Sequence, residues 1–319
     1  MSTDLQEKLV AVVVSFNRLE QLKKTVSELK DQGVDHILVV DNASTDGSIE
    51  WLETQTELTL ALMEENRGGA GGFEFGMRMA MRDLSPDWLL LMDEDARPKP
   101  GAIAFFRAMQ KTNLDLIGAA VTYPSGEICE MNRPVYNPFG SFSAFFGTMF
   151  KGRRGFHSPD EDYQSKGTLP VDGVSFVGLF IRAKAVAEDG YPDGRLFIYG
   201  DDTLYTLGLN KKGRSVGFAP EIGFEHDCGT IASAGVFMPL WKNYYRFRNL
   251  SFVYRLAAGP ILFWPVLALM SVRWSMWSRS LPHDQRYVYR KIRRLAISDA
   301  VRKNTSRDHD EIVLLGNPK

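Results

Sequence analysis

"WLLLMDEDARP", residues 88–98, decides the fold. Trp88 to Met92 is a short apolar run with charge beyond it, as expected of a strand buried on both faces. It stops at three consecutive acids, Asp93, Glu94 and Asp95. Carboxylates beside a core are costly unless something positive meets them. In an extended segment alternate side chains share a face, so Asp93 and Asp95 can reach one point while Glu94 turns away. Two carboxylates on one point suit a hard divalent cation, Mg²⁺ or Mn²⁺. The plainer alternative is a solvated turn after a strand.

Upstream, the β-branched run Val10 to Ser15 reads as a buried parallel strand. Asn17 can cap a helix in which Leu19, Leu22, Val26 and Leu29 recur at helical spacing until Gly33. His36 to Val40 is a second strand, stopping at Asp41, and a helix starts near Thr45 or Asp46. Leu58 to Met63 is a third strand, followed by a glycine-rich loop, "ENRGGAGGF" (65–73), and a helix to about Arg82. Strand–helix alternation of this kind predicts a doubly wound, mostly parallel sheet, in which ligands bind beyond the carboxyl ends of the strands. Ser15, Asp41, Asn66 and Asp93 all fall at those ends.

Downstream, residues 124–168 look irregular, and a loop this long is often a lid or a binding loop. Val171 to Ile181 resumes strand character, Asp201 and Asp202 open a helix through Leu209, and Val216 to Ala219 is a short strand. The 319 residues carry a net charge of only -1, so no nucleic acid is expected as a partner. Charge is nevertheless uneven: Arg273 to Arg307 holds ten Lys/Arg against two Asp, an arrangement that suits an anionic surface. Just before it, Ala257 to Val272 has no charge, contains Pro260 and Pro265, and is flanked by Trp and Arg. A spanning helix needs about 20 apolar residues. The expectation is a segment in the membrane interface, with a helical hairpin packed on the protein as the alternative. Cys129 and Cys228 make no disulfide framework and no zinc pattern, and the polar N-terminus gives no signal peptide, so a cytoplasmic location is expected.

Other residues carry chemistry only in context. His226, in "GFEHDCG", could join two carboxylates on a cation and would favour Mn²⁺ over Mg²⁺. Asp41 can hydrogen-bond a ribose hydroxyl or a base N–H, or simply form an Asx turn. Asn17 and Arg18 could flank a base, and Arg67 is available for a phosphate. Of Asp201 and Asp202, one can cap the helix they open while the other serves as a general base.

With these pieces in order, residues 9–250 resemble the inverting glycosyltransferases of family 2, which have the GT-A fold, a Rossmann-like α/β architecture. Within that family the chain is similar to bacterial galactofuranosyl- and rhamnosyltransferases of cell-surface polysaccharide synthesis. The residues that carry the resemblance are "VVVSFNR", "VVDNASTDGS", "NRGGAGGF", "LLLMDEDARP", "FIYGDDTLY", "FEHD" and "NYYRFRN". The resemblance implies a catalytic domain over 1–240 and a helical, basic, membrane-interface segment over 241–319. It implies that Asp93, Asp95 and His226 hold Mn²⁺ or Mg²⁺, with Glu94 beside the donor. Ser15, Asn17, Arg18, Asp41, Asn66 and Arg67 would lie along the nucleotide. Asp202 would be the base, and Gly173, Phe176, Gly178 and Asp201 would line the acceptor site. Tyr244, Tyr245, Arg248 and Asn249 match a recurring run, expected to act as a lid or phosphate contact.

The implied donor is a UDP- or dTDP-linked sugar, galactofuranose or rhamnose, and the acceptor a saccharide, in all expectation lipid-linked. The chain would work at the cytoplasmic face of the plasma membrane, peripherally bound to anionic lipid. Its short basic C-terminal part departs from the long C-terminal domains of polymerising galactofuranosyltransferases, which points to addition of one or a few sugars. Two rivals remain. A sugar-phosphate nucleotidyltransferase would need a basic, glycine-rich loop after the first strand, where this chain reads "SFNRLEQ". A non-catalytic nucleotide-sugar-binding assembly protein would need no second acid pair.

Overall fold

The computed structural model describes residues 7–140, 156–228 and 235–316. The expected lid or binding loop at 124–168 therefore lies partly outside the described residues. The core of the molecule is a nine-stranded sheet. Its strands are β1 (Leu9–Ser15), β2 (His36–Asp41), β3 (Thr59–Leu62), β4 (Trp88–Asp93), β5 (Ala96–Pro98), β6 (Leu116–Thr122), β7 (Leu169–Pro170), β8 (Leu179–Arg182) and β9 (Val216–His226). The order is β3-β2-β1-β4-β8-β6-β9-β5, with β7 pairing on β9.

The first half, β3 to β4, is parallel, as the alternation of strands and helices requires. Beyond β4 the sheet is mixed: β8 is antiparallel to both β4 and β6, while β6 and β9 are parallel. Strands β1 and β4 are completely buried from Leu9 to Val13 and from Trp88 to Met92. Burial on both faces is why they read as unbroken apolar runs rather than alternating ones.

Helices α1 (Leu19–Asp31), α2 (Ser48–Glu53) and α3 (Gly68–Asp83) join the parallel strands. The glycines expected as a loop before α3 belong to the helix itself. A Cβ at Gly72 would lie 2.5 Å from Val14 Cγ1, and one at Gly76 would lie 2.6 Å from Val12 Cγ1 and Val40 Cγ2. The glycines let the helix axis approach β1 and β2 more closely than a side chain would allow. Asn17 does not cap α1; it has φ 52, and its Oδ1 accepts the Thr45 N–H instead.

Helices α4 (Ala102–Ala108), α5 (Ala183–Asp189) and α6 (Asp201–Lys211) complete the α/β unit. The strand expected over Val171 to Ile181 is mostly loop: apart from an isolated bridge of Gly173 to Val135, only Leu179 onward forms a strand, because Gly178 sits at φ 71, outside strand geometry. The strand expected over Val216 to Ala219 instead runs on to His226, across a register shift opposite Ala119 and Ala120.

The C-terminal part is helical: α7 (Lys242–Trp277), α8 (His283–Arg302) and α9 (His309–Gly316). It has its own core, with Tyr244, Phe247, Trp274, Tyr289 and Ile292 almost wholly buried. Helix α7 is two pieces joined at Gly259, whose φ 74 and ψ 177 are not helical. Among the described residues the stretch from Lys242 to Ser280 is long and apolar enough, by length and composition only, to cross a membrane.

Candidate active site

The turn after β4 is fixed from below. Thr25, buried in α1, donates its hydroxyl to the carbonyls of Glu94 (2.6 Å) and Ala96 (3.1 Å). Strand β5 then pairs antiparallel with β9, which sets Ala96 opposite His226. The Asp227 N–H donates to the Asp95 carbonyl at 2.9 Å. This pairing brings a histidine from the far end of the sheet onto the acidic turn. One ligand atom each from Asp93, Asp95 and His226 falls within a span of 4.8 Å.

His226 Nε2 lies 3.1 Å from Asp95 Oδ1. Its other nitrogen, Nδ1, lies 2.8 Å from Asn132 Oδ1, and the Asn132 amide in turn donates to Ser175 Oγ at 3.0 Å. With Nδ1 donating to Asn132, Nε2 is left to act as a ligand. Asn132 and Ser175 carry no sequence signal of their own; they are legible only once the loop before β8 is seen behind the histidine. Cys129 and Cys228 also meet here, their sulfurs and His226 grouped within 4.8 Å, which their spacing in sequence does not show. Cys129 donates to Asn132 Oδ1 at 2.9 Å.

The positive partner of the acids is Arg18. Its guanidinium pairs with Asp95 Oδ2 and stands 3.4 Å from Glu94 Oε1. It therefore sits on the acidic turn, not free along a base. Burial raises Asp93 to a pKa of about 6, with the Asp95 charge adding to it and His226 and Arg18 opposing. Glu94, 8% exposed, is pushed well above the usual carboxylate range by burial and by its two neighbours. Asp95 is also penalised by burial, yet its bonds to His226 and Arg18 hold it below its ordinary value. Burial works against a charged His226, but the Asp95 hydrogen bond and the surrounding negative charge lift it to about 10. The site is a knot of mutually compensated charges, in which a bound cation would replace the proton on His226.

The donor set fits such a cation: two carboxylates and one oriented imidazole suit Mn²⁺ or Mg²⁺. A second fit lies next door. Ser15 and Asp41 are paired at the ends of β1 and β2, and both are completely buried. Asp41 Oδ1 accepts the Ser44 N–H at 2.8 Å, which is the Asx turn, while its Oδ2 and Ser15 Oγ have no hydrogen-bond partner. Buried polar atoms rarely stay unpaired, and two together imply a polar ligand group. Asn42 holds the neighbouring loop, accepting the Arg67 N–H (3.0 Å) and donating to the Gly68 carbonyl (2.9 Å). Asn66 Oδ1 accepts the Gly68 N–H at 2.8 Å, and the Arg67 side chain is left exposed.

Asp201 and Asp202 open α6 as expected, but neither is its N-cap, which is Gly200 at φ 77. Asp202 Oδ1 accepts the N–H (2.6 Å) and hydroxyl (3.2 Å) of Thr203, which leaves Oδ2 outside these bonds. Burial raises Asp202, and its charge adds a small part to the upward shift of Asp93. Asp201 is pushed well above the usual range by burial and by Asp202. It lines a cavity of about 200 Å³ with Asp193, Leu196 and Tyr205.

The loop expected at an acceptor is mostly internal. Phe176, 3% exposed, packs edge-on to Phe73 at 4.8 Å, and Gly178 is closely covered by Ala119 and Phe224. Gly173 bonds through its backbone to Val135. Tyr244, Tyr245, Arg248 and Asn249 are not at a phosphate or on a lid: all four are buried at the root of α7.

Residues 10–162 match the family model described as glycosyl transferase family 2. Galactofuranosyltransferase GlfT1 of Mycolicibacterium smegmatis is 30% identical over 229 residues, 70% of this chain and 72% of that protein. Among solved structures, S. aureus TarS (residues 1–349) superposes over 97% of this chain and 90% of its own, with TM-score 0.54 and 13% identity. A mannosyltransferase from Pyrobaculum calidifontis, solved with GDP-Man and Mn²⁺, superposes over 98% and 79%, with TM-score 0.51 and 15% identity. At such identities the structures speak for the fold alone.

Proposed function

Because the chain belongs to glycosyl transferase family 2 and is a glycosyltransferase, we propose that it moves galactofuranose from a nucleoside diphosphate to a saccharide hydroxyl with inversion at the anomeric carbon. The observation that carries this is the meeting of Asp93, Asp95 and His226 at the end of β4. The galactofuranosyltransferase relatives favour that sugar over rhamnose. The unpaired Ser15 and Asp41 oxygens take the polar edge of the nucleoside, and Arg67 is exposed beside them for a phosphate.

Asp93, Asp95 and His226 would hold Mn²⁺ or Mg²⁺, which neutralises charge growing on the departing diphosphate. Asp202 accepts the proton of the attacking hydroxyl on Oδ2 while Thr203 holds Oδ1. A base raised by burial is better matched to that task than an ordinary aspartate, and such help contributes roughly 10²–10⁴-fold. Asp201 is pushed above the usual carboxylate range by burial and by Asp202, which favours its protonated, donating form toward the acceptor.

The acceptor is a lipid-linked saccharide at the cytoplasmic membrane face. After Gly259, helix α7 exposes Ile261 (82%), Trp264 (55%), Leu269 (70%) and Val272 (59%). Exposed Arg290, Lys291 and Arg294 on α8 add positive charge in the same helical part. Apolar anchors with basic residues suit an anionic leaflet. The test is an assay of nucleoside diphosphate release with UDP- and dTDP-sugars and saccharide acceptors, with the product's anomeric configuration read by NMR. Inverted product from UDP-galactofuranose supports the reading; retention, or no transfer from any donor, defeats it.

A further inference from the structure

The loop that delivers the base takes an unusual path. Phe197 has φ 71 and ψ -70, and the Ile198 N–H donates to the Leu196 carbonyl at 3.0 Å, closing a γ-turn. Tyr199 (φ 65) and Gly200 (φ 77) come after it, also left-handed, and Asp201 and Asp202 are next. Such strain persists only where the surroundings over-determine it, and it clusters at functional sites.

Here the surroundings are the buried run after Lys242. The Asn249 side-chain amide donates to the carbonyls of Leu196 (3.0 Å), Ile198 (2.8 Å) and Tyr199 (2.9 Å). Arg248 Nη2 donates to Leu196 (2.8 Å) and Arg195 (3.3 Å), and its Nε donates to Asn249 Oδ1 (2.9 Å), fixing the amide's orientation. Arg248 is completely buried, and its charge rests between the Tyr244 and Tyr245 rings at 5.3 and 5.1 Å. A buried guanidinium is a costly way merely to join a helix to a loop. Its Nη2 reaches the turn's carbonyls and its Nε orients Asn249, while Nη1 has no hydrogen-bond partner.

The turn is also held from the chain's C-terminal end. The Phe197 ring stacks on Tyr245 (4.8 Å) and on His309 of α9 (4.0 Å), and the Tyr245 hydroxyl lies 2.9 Å from His309 Nδ1. On its other side the Phe197 carbonyl accepts the Ala70 N–H at 3.0 Å, at the start of α3. Gly68 must be glycine here, since a Cβ would meet that oxygen at 2.2 Å. One turn thus touches the glycine-rich helix, the last helix of the chain and the residues leading into Asp202.

We propose that Asn249, Arg248 and His309 are positioning residues that hold Asp202 in register with the donor site, so that the C-terminal helical part is a working component of catalysis rather than only an anchor. This rests on the glycosyltransferase reading, with Asp202 as base. None of the three touches the reacting atoms; each acts through the Leu196–Gly200 turn. Asp93 ends β4, Asp95 lies in the turn after it and His226 ends β9, all outside this clamp, so donor binding is spared while transfer suffers.

The test compares full-length Asn249→Ala, His309→Ala and His309→Phe with wild type. Asn249→Ala and His309→Ala are expected to lower kcat by about 10²-fold, the scale of a small misplacement of a reacting group, with donor KM nearly unchanged. His309→Phe keeps the stack on Phe197 and is expected to restore most of the rate. Limited trypsin cleavage after Arg195, whose side chain is 67% exposed, reads the loop without any activity and should accelerate in both alanine variants. Wild-type kcat in variants whose loop is cleaved faster, or His309→Phe as impaired as His309→Ala, overturns the positioning role. If wild type itself transfers no galactofuranose, the proposed reaction fails first; an active wild type with unimpaired variants defeats the positioning role alone.

Discussion

Replacing Asp93 by Asn should make the metal-free protein more stable while removing its function. In the folded chain Asp93 titrates at about 6, against an ordinary value of 3.8, chiefly because burial disfavours its charge and Asp95 adds repulsion. The difference corresponds to about 3 kcal/mol at pH 8, where the carboxylate is ionised in both states. Asparagine has the same shape and no charge, so its variant should resist urea by up to about that amount at pH 8. The pH dependence has a definite sign. A carboxyl raised on folding takes up its proton in the folded state first, so wild type gains stability as pH falls through about 6. At pH 5 it should have recovered about 1.4 kcal/mol, and the advantage of the variant should shrink to about half. Below the unfolded value the advantage should vanish. Urea titrations of both proteins at pH 8 and pH 5, without divalent metal, read this directly. Adding Mn²⁺ should reverse the order, because only wild type binds it well. A variant less stable than wild type at pH 8, or one equally favoured at both pH values, would refute the account of these charges.

Asp202→Asn is expected to bind donor normally and to transfer sugar at a rate about 10²–10⁴-fold lower, as measured by product formation at saturating donor; unimpaired turnover would exclude Asp202 as base. Because burial raises Asp202, wild-type kcat should fall as pH drops through a pKa above the usual aspartate value, and a flat acid limb would count against it. Replacing exposed Ile261, Trp264 and Leu269 together by Ser should weaken sedimentation with anionic vesicles without changing soluble-acceptor turnover; unchanged vesicle binding would remove the membrane role from α7.

The parallel half of the sheet was legible because its signals are local. The β-branched run at Val10 to Ser15 and the spacing of Leu22, Val26 and Leu29 each state their own geometry. The acid pairs were visible for the same reason. What was not legible depends on distant pairing. Asn132 behind His226, and Cys129 beside Cys228, come together only through the register of β9 on β5 and β6. The glycines of "NRGGAGGF" read as a loop because sequence shows the missing side chains and not the valines that require them to be missing. For "NYYRFRN" the resemblance suggests a lid or a phosphate contact, and nothing local in the run shows that Arg248 Nη2 and the Asn249 amide donate to buried carbonyls instead.

The most direct measurement is a calorimetric titration of UDP into wild type and Asp95→Ala, each with and without Mn²⁺. Wild type should bind UDP much more tightly with Mn²⁺, and Asp95→Ala should show no such gain. Equal binding of UDP by both proteins, whether or not Mn²⁺ is present, would contradict a site in which Asp93, Asp95 and His226 hold the cation that holds the diphosphate.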